Sequence, residues 1–141
     1  MKPSPAQVAY QRPPRKLPTY RVTATVYMAE THQTDAEPLI TADNSRIPPN
    51  ASSKTRWIAL SRDLLERWGG PFAYGDSVRV HGISPQLDGN YIIHDTMNRR
   101  FKRGIDLLVG QHEDHYGRWS NVRITPVPAP QPTPAPQWQA G

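Results

Sequence analysis

Two aspartates stand where a core strand would place hydrophobes, in the stretch NYIIHDTMNRRFKRGIDLLVG from Asn90 to Gly110. Asp95 closes the apolar run Tyr91-Ile92-Ile93, and Asp106 sits inside a second run, between Ile105 and Leu107. An ionised carboxylate among aliphatic neighbours is costly unless it is paired, hydrogen-bonded or protonated. Such surroundings raise a carboxyl pKa, and a carboxyl that keeps its proton near neutrality is what a general acid needs. The pattern predicts a catalytic hairpin that brings Asp95 and Asp106 together on adjacent strands. The plain alternative is that each caps a turn or pairs with Arg99, Arg100, Lys102 or Arg103 in the basic run between them. That run reads as a solvated loop or as an anion-binding patch, with Phe101 stacking on a sugar or base.

Other candidate constellations are weaker. His112-Glu113-Asp114-His115 offers two imidazoles, but zinc needs three or four ligands, and nothing in the spacing brings His32, His81 or His94 to them. A polar helical turn is the reading adopted, with no metal and no cofactor. Ser61 has no local base or orienting partner for nucleophilic work and reads as a helix cap. Gly69-Gly70 lacks the spacing and the lysine of a phosphate loop. Trp57 reads as core, while Tyr116 and Trp119 are candidates for a carbohydrate groove.

The elements that must position these residues are mostly strands. Residues 20–28, YRVTATVYM, alternate strictly, with Val22, Ala24 and Val26 on one face and Arg21, Thr23, Thr25 and Tyr27 on the other. Residues 29–35, with Glu30 and His32, form a polar loop. Short strands are predicted over 39–41, 57–60, 77–83, 91–93, 105–109 and 120–127. A helix is expected over 62–68, capped by Ser61 and ended by Gly69-Gly70. Asp88-Gly89 is a type I′ hairpin signal. Strands this short and numerous, with little helix, predict an all-β fold, a small closed or nearly closed barrel of six or seven strands with one or two short helices.

The totals bound the partners. The 141 residues leave room for one domain and its tails. Most of the 16 prolines lie near the ends, so residues 1–18 read as a proline-rich basic linker, 19–126 as the domain and 127–141 as a proline-rich tail. The absence of cysteine excludes thiol nucleophiles and disulfides. A net charge of +5 favours anionic partners: nucleic acid, anionic lipid or an acidic cell-wall polymer. No apolar run is long enough to span a membrane, and residues 1–16 lack the apolar stretch of a signal peptide.

Asp95-Thr96, followed by Gly104-Ile105-Asp106-Leu107-Leu108-Val109-Gly110, resembles the "DTG…RIDLFFG" signature of the three-aspartate (3D) domain. That domain is a double-psi β-barrel of cell-wall lytic proteins, the membrane-bound lytic transglycosylase A and the stationary-phase-survival proteins among them. Residues 23–27, TATVY, resemble its opening "TATAY" strand, and Thr41-Ala42-Asp43 its "TA(S/D)G" turn. Residues 57–60 fall where "IAVD" would be, residues 72–80 match "IPLGTKVYV", and residues 112–124 resemble "HEEA…FGRRNVTV". The similarity is collinear over about residues 20 to 126. Ser61 stands where the family has its first aspartate, Met97-Asn98 replace the glycines after "DT", and Arg99-Arg100 follow.

The resemblance implies a double-psi barrel that cleaves the β-1,4 bond between N-acetylmuramic acid and N-acetylglucosamine. The muramyl 6-hydroxyl attacks in place of water and leaves a 1,6-anhydro end. By position in the motif, Asp106 would be the single acid/base and Asp95 would raise its pKa. Thr41, Asp43, Ser61, Asn98 and Arg99 are the expected substrate-binding residues. The implied partner is the peptidoglycan glycan strand rather than nucleic acid. The expected protein is a monomer in the periplasm or outside the cell, with its targeting segment beyond this sequence. The alternative is a non-catalytic barrel that binds the cell wall or helps assemble it.

Overall fold

Six strands close into a mixed β-barrel in the order β1-β5-β2-β4-β3-β6. The structure, a computed structural model, describes residues 17–28 and 39–128. The strands are β1 (Tyr20–Met28), β2 (Trp57–Leu60), β3 (Ser77–His81), β4 (Gly89–Thr96), β5 (Gly104–Val109) and β6 (Trp119–Val127). The expected linker over 1–16, the loop with Glu30 and His32, and the tail over 129–141 lie outside the described residues. Among the described residues no helix is long and apolar enough to cross a membrane.

Alternation along each strand decides what faces the axis. Val22 and Ala24 of β1, Ile58 and Leu60 of β2, Val78 and Val80 of β3, Tyr91 and Ile93 of β4, Ile105, Leu107 and Val109 of β5, and Val122 and Ile124 of β6 form one buried cluster. Burying an aliphatic side chain of this size stabilises by about 1.5–3 kcal/mol, so the alternate residues hold the barrel shut. Closure also fixes the outer face, because a residue between two core residues must point away from the axis. Trp57 and Ala59 of β2 belong to that outer set, and the Trp57 ring lies against His94, centroids 4.1 Å apart, rather than in the core.

Two strand pairs are parallel, β1 with β5 and β2 with β4. The others are antiparallel. β4 and β5 are therefore not neighbours: β2 lies between them and pairs with both, so the expected hairpin of adjacent strands does not form. The basic run connecting them crosses over one strand.

Three further local expectations differ. Residues 62–68 form two 3-10 turns, Arg62–Leu64 and Glu66–Trp68, instead of a helix. Leu65, between them, is extended and bridges to Phe72, which buries Leu64, Leu65 and Phe72 together. Gly70 is required here, since a Cβ would sit 2.2 Å from the carbonyl carbon of Leu64. The β3–β4 connection is a longer loop in place of a two-residue turn. Its shape is set by the Asp88 carboxylate, which accepts the N–H groups of Gly82, Ile83 and Ser84. Residues 111–116 form a turn, not a helix, and the Glu113 carboxylate ties it to the N–H groups of Gly110 and Ser53 and to the Ser53 hydroxyl.

Candidate functional site

Ala59 is the register partner of both acids. It pairs with Asp106 on the antiparallel side of β2 and with Asp95 on the parallel side. The register shifts between Ile58 and Ala59, an irregularity that sets Asp95, two residues past the inward Ile93, opposite an outward-facing residue. Asp106 in turn pairs with Thr25 on β1. Thr25, Asp106, Ala59 and Asp95 thus run across four consecutive strands at one level. Only the small methyl of Ala59 lies between the acids in this register, and the charge of Asp95 reaches Asp106.

The environment keeps Asp106 protonated well above the ordinary carboxyl range. Partial burial, reduced by the hydrogen bond from Thr25 and increased by the negative charge of Asp95, pushes its pKa up to about 6. The Thr25 hydroxyl donates to Asp106 Oδ1 at 2.9 Å and also lies 3.3 Å from the Ile105 carbonyl. One hydroxyl proton with two acceptors serves both charge states. With Asp106 ionised, it points to the carboxylate; with Asp106 protonated, it turns to the carbonyl and its oxygen accepts from the acid. No lysine or arginine pairs with either acid among the described residues, so the ion-pair alternative for Asp95 and Asp106 does not describe them.

Asp95 is fixed by two backbone donors on one oxygen, Thr96 N–H at 2.9 Å and Ala42 N–H at 3.0 Å. The second comes from the turn at residues 41–45, which is docked on β4 by further contacts. Asp43 N–H donates to the His94 carbonyl at 3.2 Å, and His94 Nδ1 lies 2.7 Å from Asp43 Oδ2 and 3.1 Å from the Ser45 hydroxyl. Burial would raise the Asp43 carboxyl, but the hydrogen bonds from Thr41, His94 and Ser45 outweigh it and hold the pKa below the usual value. Asp43 is therefore a fixed anion that orients His94 and, through Ala42, the position of Asp95.

The remaining expected site residues divide. Thr41 is buried and its hydroxyl donates to Asp43 at 2.5 Å, so Thr41 and Asp43 join the acid site through the turn. Ser61 is fully buried. Its hydroxyl accepts the Gly104 N–H at 2.9 Å, and its own N–H donates to the Gly104 carbonyl, which tethers the start of β5. Ser61 holds the N-cap position of the 3-10 turn Arg62–Leu64, but its side chain makes no cap hydrogen bond there. Asp63 accepts the N–H of Arg103 at 3.0 Å. Asn98 and Arg99 are exposed in the crossover, where Asn98 accepts the N–H of Arg100, and no described contact joins either to the acids. Among the candidate sugar-facing aromatics, Tyr116 is exposed and Trp119 packs against the core. No three acidic or histidine side chains converge as a metal site among the described residues.

Tyr27 was not singled out from the sequence, yet it lies two residues beyond Thr25 on the same outer face. Its hydroxyl is buried without a hydrogen-bond partner among the described residues. Burial first, then the charges of Asp95 and Asp106, raise its pKa. The alternation of β1 already set Thr25 and Tyr27 on one face; the parallel register that brings that face to Asp106 has no local signature. His94 was weighed only as a metal ligand.

Neither protein-family models nor curated protein sequences yield a match to this chain.

Proposed function

We propose that this chain is a peptidoglycan lytic transglycosylase of the three-aspartate type on a double-psi barrel, working in the periplasm or outside the cell, with Asp106 as its single acid/base. The observation that carries the reading is a carboxyl of pKa about 6, free of cationic partners, beside a second, backbone-anchored aspartate. Roughly a tenth of such a group is protonated at pH 7, against about a thousandth for an ordinary aspartate.

The steps follow from that group. Protonated Asp106 gives its proton to the glycosidic oxygen as the bond to the muramyl anomeric carbon breaks. The resulting Asp106 carboxylate then takes the proton of the muramyl 6-hydroxyl, whose oxygen closes on the anomeric carbon to form the 1,6-anhydro ring. The Thr25 hydroxyl, able to donate or accept, stays bonded through both states. No second carboxylate is needed as nucleophile, and the charge of Asp95 serves to keep Asp106 protonated until the leaving oxygen takes its proton.

A second reading is favoured by Ser61. The position of the family's first aspartate holds a buried hydroxyl already committed to Gly104, so no third acid is available there. A non-catalytic barrel that binds glycan strands fits that feature. Purified sacculi discriminate the two: the lytic reading expects soluble 1,6-anhydromuropeptides from the wild-type chain and none from Asp106→Asn. Retention on sacculi without soluble products would leave only the binder, and full activity in Asp106→Asn would remove the acid from the mechanism.

A further inference from the structure

On the arc of the barrel away from the acids, the outer residues of β1, β6 and β3 form a two-row grid. In the first row Arg21 pairs with Arg123, and Arg123 pairs with His81. In the second, Thr19 meets Thr125 across a 3.5 Å hydroxyl contact, and Thr125 pairs with Arg79. The six side chains line one open groove. Arg21, Arg79, His81 and Arg123 are all exposed.

Nothing in the described structure neutralises the three guanidinium groups. None of the arginines has an acidic partner among the described residues. The nearby carboxylate, Asp88, lies 3.6 Å from His81 Nδ1 and already accepts three backbone N–H groups of its own loop. Like charges directly opposite one another on neighbouring strands destabilise a sheet. Arg21 faces Arg123 in that manner, and the adjacent core pair, Val22 with Val122, holds them in that register.

We propose that this grid is a binding site for closely spaced phosphoryl groups, of the polyphosphate or pyrophosphate-ester class. Each guanidinium presents a planar fork that matches oxyanions. Three forks flanked by two hydroxyls offer more donors than the two oxygens of one carboxylate accept. A terminal phosphoryl group brings three acceptor oxygens and nearly two negative charges. The one aromatic ring among the six is the His81 imidazole, so the groove lacks the series of aromatic platforms on which successive nucleic-acid bases stack. The site stands apart from the acid pair and does not depend on the proposed reaction.

Titration calorimetry of the full chain with sodium tripolyphosphate tests this directly, with polyaspartate and single-stranded oligothymidine as rival probes. Binding of tripolyphosphate in preference to both is expected. The combined Arg21→Gln, Arg79→Gln, Arg123→Gln variant is expected to lose about tenfold or more in affinity, as charge-assisted hydrogen bonds go. A second variant, Arg100→Gln, Lys102→Gln in the exposed crossover, is expected to bind as the wild type does. Tripolyphosphate should also raise the melting temperature of the wild type and leave that of the first variant unmoved, which shows as well that this variant folds. The proposal is overturned by undetectable tripolyphosphate binding, by unchanged affinity in the first variant, by loss in the crossover variant instead, or by a preference for polyaspartate or the oligonucleotide.

Discussion

The barrel crowds like charges on two of its arcs and relieves them in opposite ways. On β5, β2 and β4 the two carboxyls flank one alanine in a partly buried setting, and the repulsion is relieved by a proton that Asp106 retains up to about pH 6. On β1, β6 and β3 three arginines and a histidine share an open groove, where guanidinium does not give up its proton. Repulsion there is eased by solvent and, on the proposed reading, by an anion from outside. The difference teaches that burial, more than charge count, decides whether a crowded site becomes a proton donor or a ligand site.

The largest effect expected from breaking the acid arc is on catalysis. Asp106→Asn should lower the rate of anhydromuropeptide release by roughly 10² to 10⁴, the usual contribution of a general acid, in a timed sacculus digest. The same variant should be more stable than the wild type at neutral pH. The folded pKa of Asp106 lies above its unfolded value of about 3.8, so the folded state binds the extra proton and loses stability as pH rises from the unfolded to the folded pKa. Removing the ionisable group should recover on the order of 2 kcal/mol at neutral pH and nothing below the unfolded pKa, measured by denaturant unfolding at both ends.

Smaller, opposed shifts sharpen the assignment of partners. Activity that needs protonated Asp106 falls as pH rises through its pKa. Asp95→Asn removes the charge that raises that pKa and should move the alkaline limb of the pH–rate profile downward. Thr25→Val removes the hydrogen bond that lowers it and should move the limb upward. Shifts in the same direction would mean that both changes act through the fold. The smallest effect belongs to the basic arc. Arg123→Thr should stabilise the chain by about 0.5 kcal/mol in low salt, with the gain fading as salt is added, because it removes the charge facing both Arg21 and His81.

Much of the fold was legible in the sequence wherever alternation carried it. Residues 20–28 form the strand expected of them, and the all-β barrel followed from strand number and shortness. Asp106 was legible because a polar residue inside GIDLLV violates a strand's apolar pattern. What did not show was pairing between distant segments. β2 lies between β4 and β5 through pairings with segments distant in the chain, and no local property of WIAL announces that. The helix over 62–68 failed for a similar reason: tertiary burial of Leu64, Leu65 and Phe72 outweighed a helical pattern. The outward position of Arg21 follows from alternation in residues 20–28, but its meeting with Arg79, His81 and Arg123 depends on β6, whose register only the closed sheet defines.

Among the described residues the closed ring of six strands leaves no open edge along which an extended chain can add itself as a further strand. On the proposed reading, a glycan strand would be gripped across the strands by side chains and loop tips. Specificity is then written in the pattern of outward residues alone. That pattern can be recoded one residue at a time without unpicking the ladder beneath it.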